Sequence, residues 1–304
     1  MANDTRAGLA YALAGFVTLA IGDVVIKTMA GTWPPYAVAA LRFSIGSLAL
    51  SVWLWRSEGT KAFVPQNLWL QMARGFCLAA ASLSFFSAIY IMPLAEAVAI
   101  SFLSPILTQA FGGLLLKERL RPQVFVVSLI ALVGVFIVLR PNVAELGWAA
   151  LLPLCSAVFF SLLLVANRAS AGQGSGLSMQ VFVAGFCAPV LIVVSLAAKF
   201  SGIPELDFGW PSWGVVLRCV VVAVTATTAH WLAYIGAAKA GAAAIAPALY
   251  VQLLVAIVAG WLVFDDVPDV FTLAGSGLII AAGLYLWRDG VRATSPKQGL
   301  PIKR

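Results

Sequence analysis

"GLAYALAGFVTLAIGDVVIK", from Gly8 to Lys27, runs uncharged to Asp23 and closes on two opposite charges. Its length is that of one bilayer crossing, about 20 residues. Asp23 and Lys27 are four residues apart, so a helix places them on one face. Reading this stretch as a membrane span decides the class of the whole chain. The 304 residues are 62% hydrophobic and only 10% charged, with mean hydropathy +0.99. A soluble domain carries about a quarter charged residues, and no soluble core of this length absorbs so much apolar surface. The composition therefore predicts an all-α polytopic membrane protein. "MANDTRAG" leads straight into the first run, so no cleaved signal is expected.

Breakers and charges punctuate ten expected spans, near 8–28, 35–55, 68–91, 94–116, 122–139, 147–167, 177–198, 212–236, 242–264 and 269–287. The connections at Met92–Pro93 and Ala238–Gly241 are so short that the helices they join must be antiparallel neighbours. With the N-terminus in the cytoplasm, Arg6, Arg56, Lys61, Arg74, Lys117, Arg119, Arg121, Arg168, Lys239, Arg288, Arg292, Lys297, Lys303 and Arg304 fall at cytoplasmic ends. Only Lys27, Arg140 and Lys199 fall at outer ends. This asymmetry places both termini in the cytoplasm.

The two halves echo each other. Arg74 is followed sixteen residues later by "YI" at Tyr90, and Arg218 likewise by "YI" at Tyr234. "PQVF" at Pro122 matches "PDVF" at Pro268, and "LLLKERL" matches "WLVFDDV". Five spans repeated must enter the membrane in opposite senses. The expected organisation is a first five-helix repeat over 1–140, a second, inverted five-helix repeat over 141–288, and a cytoplasmic tail over 289–304. Inverted repeats are a hallmark of secondary transporters, whose substrate site lies near the midplane between the repeats.

"PLAEAVAISFLSPILTQAFGGLLLKERLRP" (Pro93–Pro122), "LIALVGVFIVL" (Leu129–Leu139), "LRF" at Leu41 and "GSGLIIAAG" at Gly275 resemble the drug/metabolite transporter superfamily, and within it the EamA-type exporters. The resemblance covers essentially the whole chain. It implies a secondary transporter in a bacterial inner (plasma) membrane that exports small metabolites by alternating access. Length and aromatic content resemble the bacterial exporters of amino acids, including aromatic ones. The alternatives are a proton-coupled multidrug exporter in the same fold and an intramembrane enzyme. The second lacks HExxH-like and GxSxG motifs, so no enzyme is expected, and no "GxxxxGK[ST]" supports ATP-driven transport.

Ionisable groups within spans are site candidates, because burying one costs several kcal/mol unless it is paired or wet. Asp23, Lys27, Arg42 and Glu96 all fall in the outer half of the first, second and fourth spans. They form either a self-neutralising structural cluster or, in part, a reader of zwitterions. Thr227, His230, Trp231 and Tyr234 share one helical face of the eighth span. Ser82, Phe86 and Tyr90 lie on the repeat-related third span. Ser101, Phe159, Tyr250 and Gln252 complete the expected lining, and Pro105 and Pro247 are expected bend points. Ser101 is also explained by a bond to its own helix, and His230 by a satisfied core position. One histidine and four cysteines inside apolar runs give no zinc framework. No cofactor, metal or nucleic acid is expected. The expected partners are a small-molecule substrate and the lipid bilayer, with the chain a monomer or weak homodimer.

Overall fold

In lipid each backbone donor must be satisfied internally, and a helix does this within one segment. The computed structural model describes residues 2–116, 126–127, 129–138, 147–240 and 245–294, and over these it contains helices and turns without strands. The helices are α1 (Ala2–Lys27), α2 (Pro35–Glu58), α3 (Leu68–Ile91), α4 (Leu94–Ser101) and α5 (Ser104–Leu115). After them come α6 (Leu129–Val138), α7 (Leu152–Ala169), α8 (Gly176–Lys199), α9 (Trp213–Ala240), α10 (Val251–Phe264) and α11 (Val270–Thr294).

Seven stretches are long and apolar enough to cross a membrane: Arg6–Lys27, Pro35–Glu58, Leu68–Ile91, Leu94–Leu115, Gly147–Ala169, Gly176–Lys199 and Trp213–Ala240. They coincide with seven of the ten expected spans. The fifth, ninth and tenth correspond to shorter apolar helices, Leu129–Val138, Ala248–Phe264 and Val270–Tyr285. Residues 122–125, 128 and 139 of the expected fifth span lie outside the described residues, as do 242–244 of the ninth and 295–304 of the tail. Helix α11 continues past residue 289, the expected start of the tail, to Thr294.

The fourth span is not one straight helix. It breaks at Phe102–Leu103, just ahead of Pro105. Proline has no N–H to give the carbonyl four residues back and crowds the residue before it. The carbonyl left over is that of Ser101, and the Ser104 hydroxyl donates to it. The Ser104 carbonyl in turn accepts from Thr108 Oγ1 at 2.7 Å and from Ser161 Oγ of α7 at 3.0 Å. Small hydroxyls thus repair a helix that proline has interrupted. At Pro247 the ninth span opens with a 3-10 turn, Ala246–Tyr250, before α10 begins.

Helix α1 lies along α9 for most of its length, and α3 is held between α7 and α8. Helix α2 packs on α8 and α9, α5 on α7, and α10 on both α1 and α4. The α1–α9 approach depends on glycine: a Cβ at Gly8 would stand 2.5 Å from the Ala240 Cβ, and one at Gly236 would stand 2.7 Å from the Gly8 carbonyl oxygen. Small residues allow this approach where lipid provides no hydrophobic drive between helices. Gly134 of α6 meets Gly275 and Ile279 of α11, so the fifth and tenth spans touch each other.

Candidate functional site

One end of the bundle is tied across its connections. Lys27, last residue of α1, points its ammonium at Asp266 Oδ2, 2.5 Å away, and donates to the Met92 carbonyl at 3.0 Å. The Lys27 and Asp266 side chains are 11% and 25% exposed, so the pair is largely shielded from solvent. The chain turns at Asp265, the only non-glycine residue with positive φ among those described, at 56°. The Asp266 N–H then closes on the Gly260 carbonyl at 3.0 Å. This folds Asp266 back beneath the end of α10, where Lys27 meets it. The α8–α9 connection lies over the same end. Trp33 Nε1 donates to the Gly209 carbonyl at 3.0 Å and Tyr36 to the Leu206 carbonyl at 2.9 Å, and both rings meet Phe208 edge-on. Lys199 donates to the Phe208 carbonyl at 2.7 Å.

Glu96, in the first turn of α4, is buried and accepts from Thr272 Oγ1 of α11 at 3.0 Å. Thr272 stands in that first turn because Asp269 caps α11, with Oδ1 2.6 Å from the Thr272 N–H. The four embedded charges therefore do not gather into one cluster. Lys27 and Glu96 are used at the tied end. Asp266 and Thr272, their partners, are residues the sequence reading did not select. The acids closing "WLVFDDV" were the one available signal.

Asp23 and Arg42 are placed differently. Both are half-buried within the bundle. Their charges interact, and the Arg42 charge also reaches Cys187 of α8, Cys219 of α9 and His230. Among the described residues no carboxylate oxygen comes within the 4.0 Å of a direct ion pair with Arg42. The Arg42 guanidinium lies over the rings of Phe43 and Phe86, 4.1 and 5.8 Å from their centroids. Tyr90, one turn along α3 from Phe86, has a buried hydroxyl without a hydrogen-bond partner among the described residues.

The other expected lining residues are spread more widely. His230 Nδ1 bonds to the Ala226 carbonyl at 2.7 Å and Thr227 to the Ala223 carbonyl at 2.9 Å, both within α9. Ser101 donates to its own helix, to the Ala97 carbonyl at 2.8 Å. Ser82 is half-buried on α3, and Gln252 is buried in α10. Phe159 meets Phe76 edge-on, and Tyr250 meets Phe102 in the same way, its hydroxyl filling the space a side chain at Gly283 would need. Trp231 meets Trp53 of α2 and Tyr234 with tilted rings, at 46° and 36° between planes. It stands exposed on the same stripe of α9 as Leu217, Val221 and Val224. The structure thus sets Phe86 against Arg42, with Asp23 in electrostatic reach of it, and places Trp231 and Tyr234 on an exposed face of α9. Among the described residues no three His, Cys, Asp or Glu side chains converge as metal ligands.

The comparisons with known proteins agree with this architecture. The profile of the EamA-like transporter family matches residues 6–140. The likeness to curated proteins extends beyond those residues. The chain is 24% identical over 290 residues to the S-adenosylmethionine uptake transporter of Rickettsia prowazekii, covering 95% of each chain. It is 26% identical over 288 residues to the pseudopaline exporter CntI of Pseudomonas aeruginosa, covering 93% of this chain and 96% of the relative. It is 24% identical over 286 residues to the riboflavin transporter of Rhizobium johnstonii, covering 94% and 90%. A crystal structure with 21% sequence identity superposes with a TM-score of 0.60 over 97% of this chain and all of that one, which shows a shared fold. The relatives move small metabolites across membranes, and their names span several chemical classes without singling out aromatic amino acids.

Proposed function

We propose that the chain is a secondary transporter exporting amino acids and related small metabolites, aromatic ones included, by alternating access between two inverted five-helix repeats. The observation that carries this reading is the Asp23–Arg42 centre: two opposite charges with no hydrogen bond or direct ion pair among the described residues, Arg42 lying over Phe86. A membrane protein that leaves such groups unbonded pays in solvation, and a wet substrate path is the usual return. The neighbour pattern supports the repeat. Exchanging each span with the one five places on turns the α1–α9 contact into α7–α3, α2–α9 into α8–α3, and α1–α10 into α7–α5. Support for an amino-acid cargo comes from a relative named for S-adenosylmethionine, which joins an amino-acid head to a flat ring.

The test is uptake of a labelled panel of amino acids, amines and nucleosides into liposomes containing the purified chain. Saturable uptake of amino acids is expected. Uptake of none of them, with hydrolysis of a substrate instead, overturns the reading. Buried Glu96 favours a second reading, a proton-coupled multidrug exporter. Dissipating the proton gradient separates the two: amino-acid flux that persists supports facilitated movement, and flux that stops supports antiport.

A further inference from the structure

We infer that Asp23 and Arg42 divide the recognition of an α-amino-acid head group between them, with Arg42 taking the carboxylate and Asp23 the ammonium. This rests on the transport reading above and assigns roles within the same centre. Two other cations near the end of α1 already have partners: Lys27 is committed to Asp266 and the Met92 carbonyl, and Arg218 donates to the Thr28 carbonyl. Arg42 has no carboxylate within 4.0 Å among the described residues and makes no hydrogen bond there, although it feels the Asp23 charge. Its guanidinium carbon lies over the rings of Phe43 and Phe86, and its N–H groups make no hydrogen bond among the described residues. The N–H edge of a guanidinium is a planar fork matched to the two oxygens of a carboxylate. Asp23, on α1, is a pure acceptor as a carboxylate, which suits an ammonium.

An α-amino acid holds both complementary charges on adjacent atoms and is neutral overall. It fits between two opposite charges too far apart to pair directly, and it neutralises each without adding net charge to the bundle.

The experiment is uptake of labelled phenylalanine into liposomes, challenged with unlabelled phenylalanine, phenethylamine or 3-phenylpropionate. The last two lack the carboxylate and the ammonium respectively. The wild-type chain should be inhibited far better by phenylalanine than by either half-molecule. Arg42→Gln should reduce phenylalanine uptake about 10- to 100-fold, the range set by one charge-assisted hydrogen-bonded contact. It should also bring phenethylamine level with phenylalanine as a competitor. Asp23→Asn should do the same for 3-phenylpropionate. Should Arg42→Gln fail to fold, Arg42→Lys, which keeps the charge and loses the fork, should show a weaker form of the same shift. Variants that lose competition by all three compounds in equal proportion overturn the assignment while leaving the transport reading intact. A wild-type chain that takes up no amino acid overturns the transport reading itself, before any variant is measured.

Discussion

Arg42 lies over two aromatic rings rather than against a carboxylate, and this makes Phe86 a residue to test. Phe86 is 4% exposed, and a Leu there keeps most of the volume while removing the ring face under the guanidinium. The cation–ring contact is worth about 0.5–2 kcal/mol, so Phe86→Leu should reduce phenylalanine uptake about 2- to 30-fold at matched protein amounts. Unchanged uptake would show that the stacking does not position Arg42. Trp231 gives the contrast. Its place on an exposed stripe beside Val224 predicts that Trp231→Ala shifts the ratio of phenylalanine to threonine uptake by less than about twofold, below the gain from one ring contact. A larger selective loss of phenylalanine uptake would put Trp231 in the path. At this scale the sequence showed that embedded charges matter, since apolar spans make Asp23, Lys27, Arg42 and Glu96 conspicuous. It could not show which are paired. Lys27 meets an acid 239 residues away, and no local spacing reports such a contact.

Among the elements, the breaks and ties are where movement belongs. Pro105 predicts a bend in the fourth span, and the break at Phe102–Leu103 lies just ahead of it. The hydroxyls of Ser104, Thr108 and Ser161, which stabilise the break, have no signature beyond being small and polar. Pro105→Ala restores a donor for the Ser101 carbonyl and should straighten the span. The expected result is turnover lowered several-fold with the substrate concentration for half-maximal uptake little changed, read from initial rates. The Lys27–Asp266 pair, together with the Met92 carbonyl, ties α1, the α3–α4 connection and the α10–α11 connection at one end. Removing one partner of a shielded ion pair costs about 1–3 kcal/mol once partial exposure is allowed for. Lys27→Met should therefore open this end more often. A cysteine at Ile26, 2% exposed in the closed arrangement, should then react with an impermeant thiol reagent about 5- to 100-fold faster in a background without the native cysteines. Exchanging the charges, Lys27→Asp with Asp266→Lys, should restore slow labelling. Equal rates in all three would show that the pair does not hold the end closed.

For the whole molecule, hydropathy made the class legible, because a chain with 10% charge and spans of about 20 apolar residues has few alternatives. The proposed repeat rests in the sequence on fragments such as Arg74 and Arg218, whose contacts are of one kind. Arg74 Nε donates to Asn167 Oδ1 at 2.7 Å, near the end of α7, and Arg218 Nη1 donates to the Thr28 carbonyl at 3.0 Å, just past the end of α1. Each arginine ties its own helix to the end of the helix that the repeat relates to the other's partner. The proposed orientation predicts that Ser201→Cys is labelled from outside the cell and Thr60→Cys only after permeabilisation; the reverse would invert the topology. The central claim is that a single path opens alternately to the two sides. Counterflow tests it most directly: liposomes containing the chain are loaded with unlabelled phenylalanine and diluted into trace labelled phenylalanine. The account predicts a transient accumulation of label above equilibrium, abolished by Arg42→Gln. Label that enters without an overshoot, at a rate that does not saturate, would mark a channel and contradict alternating access.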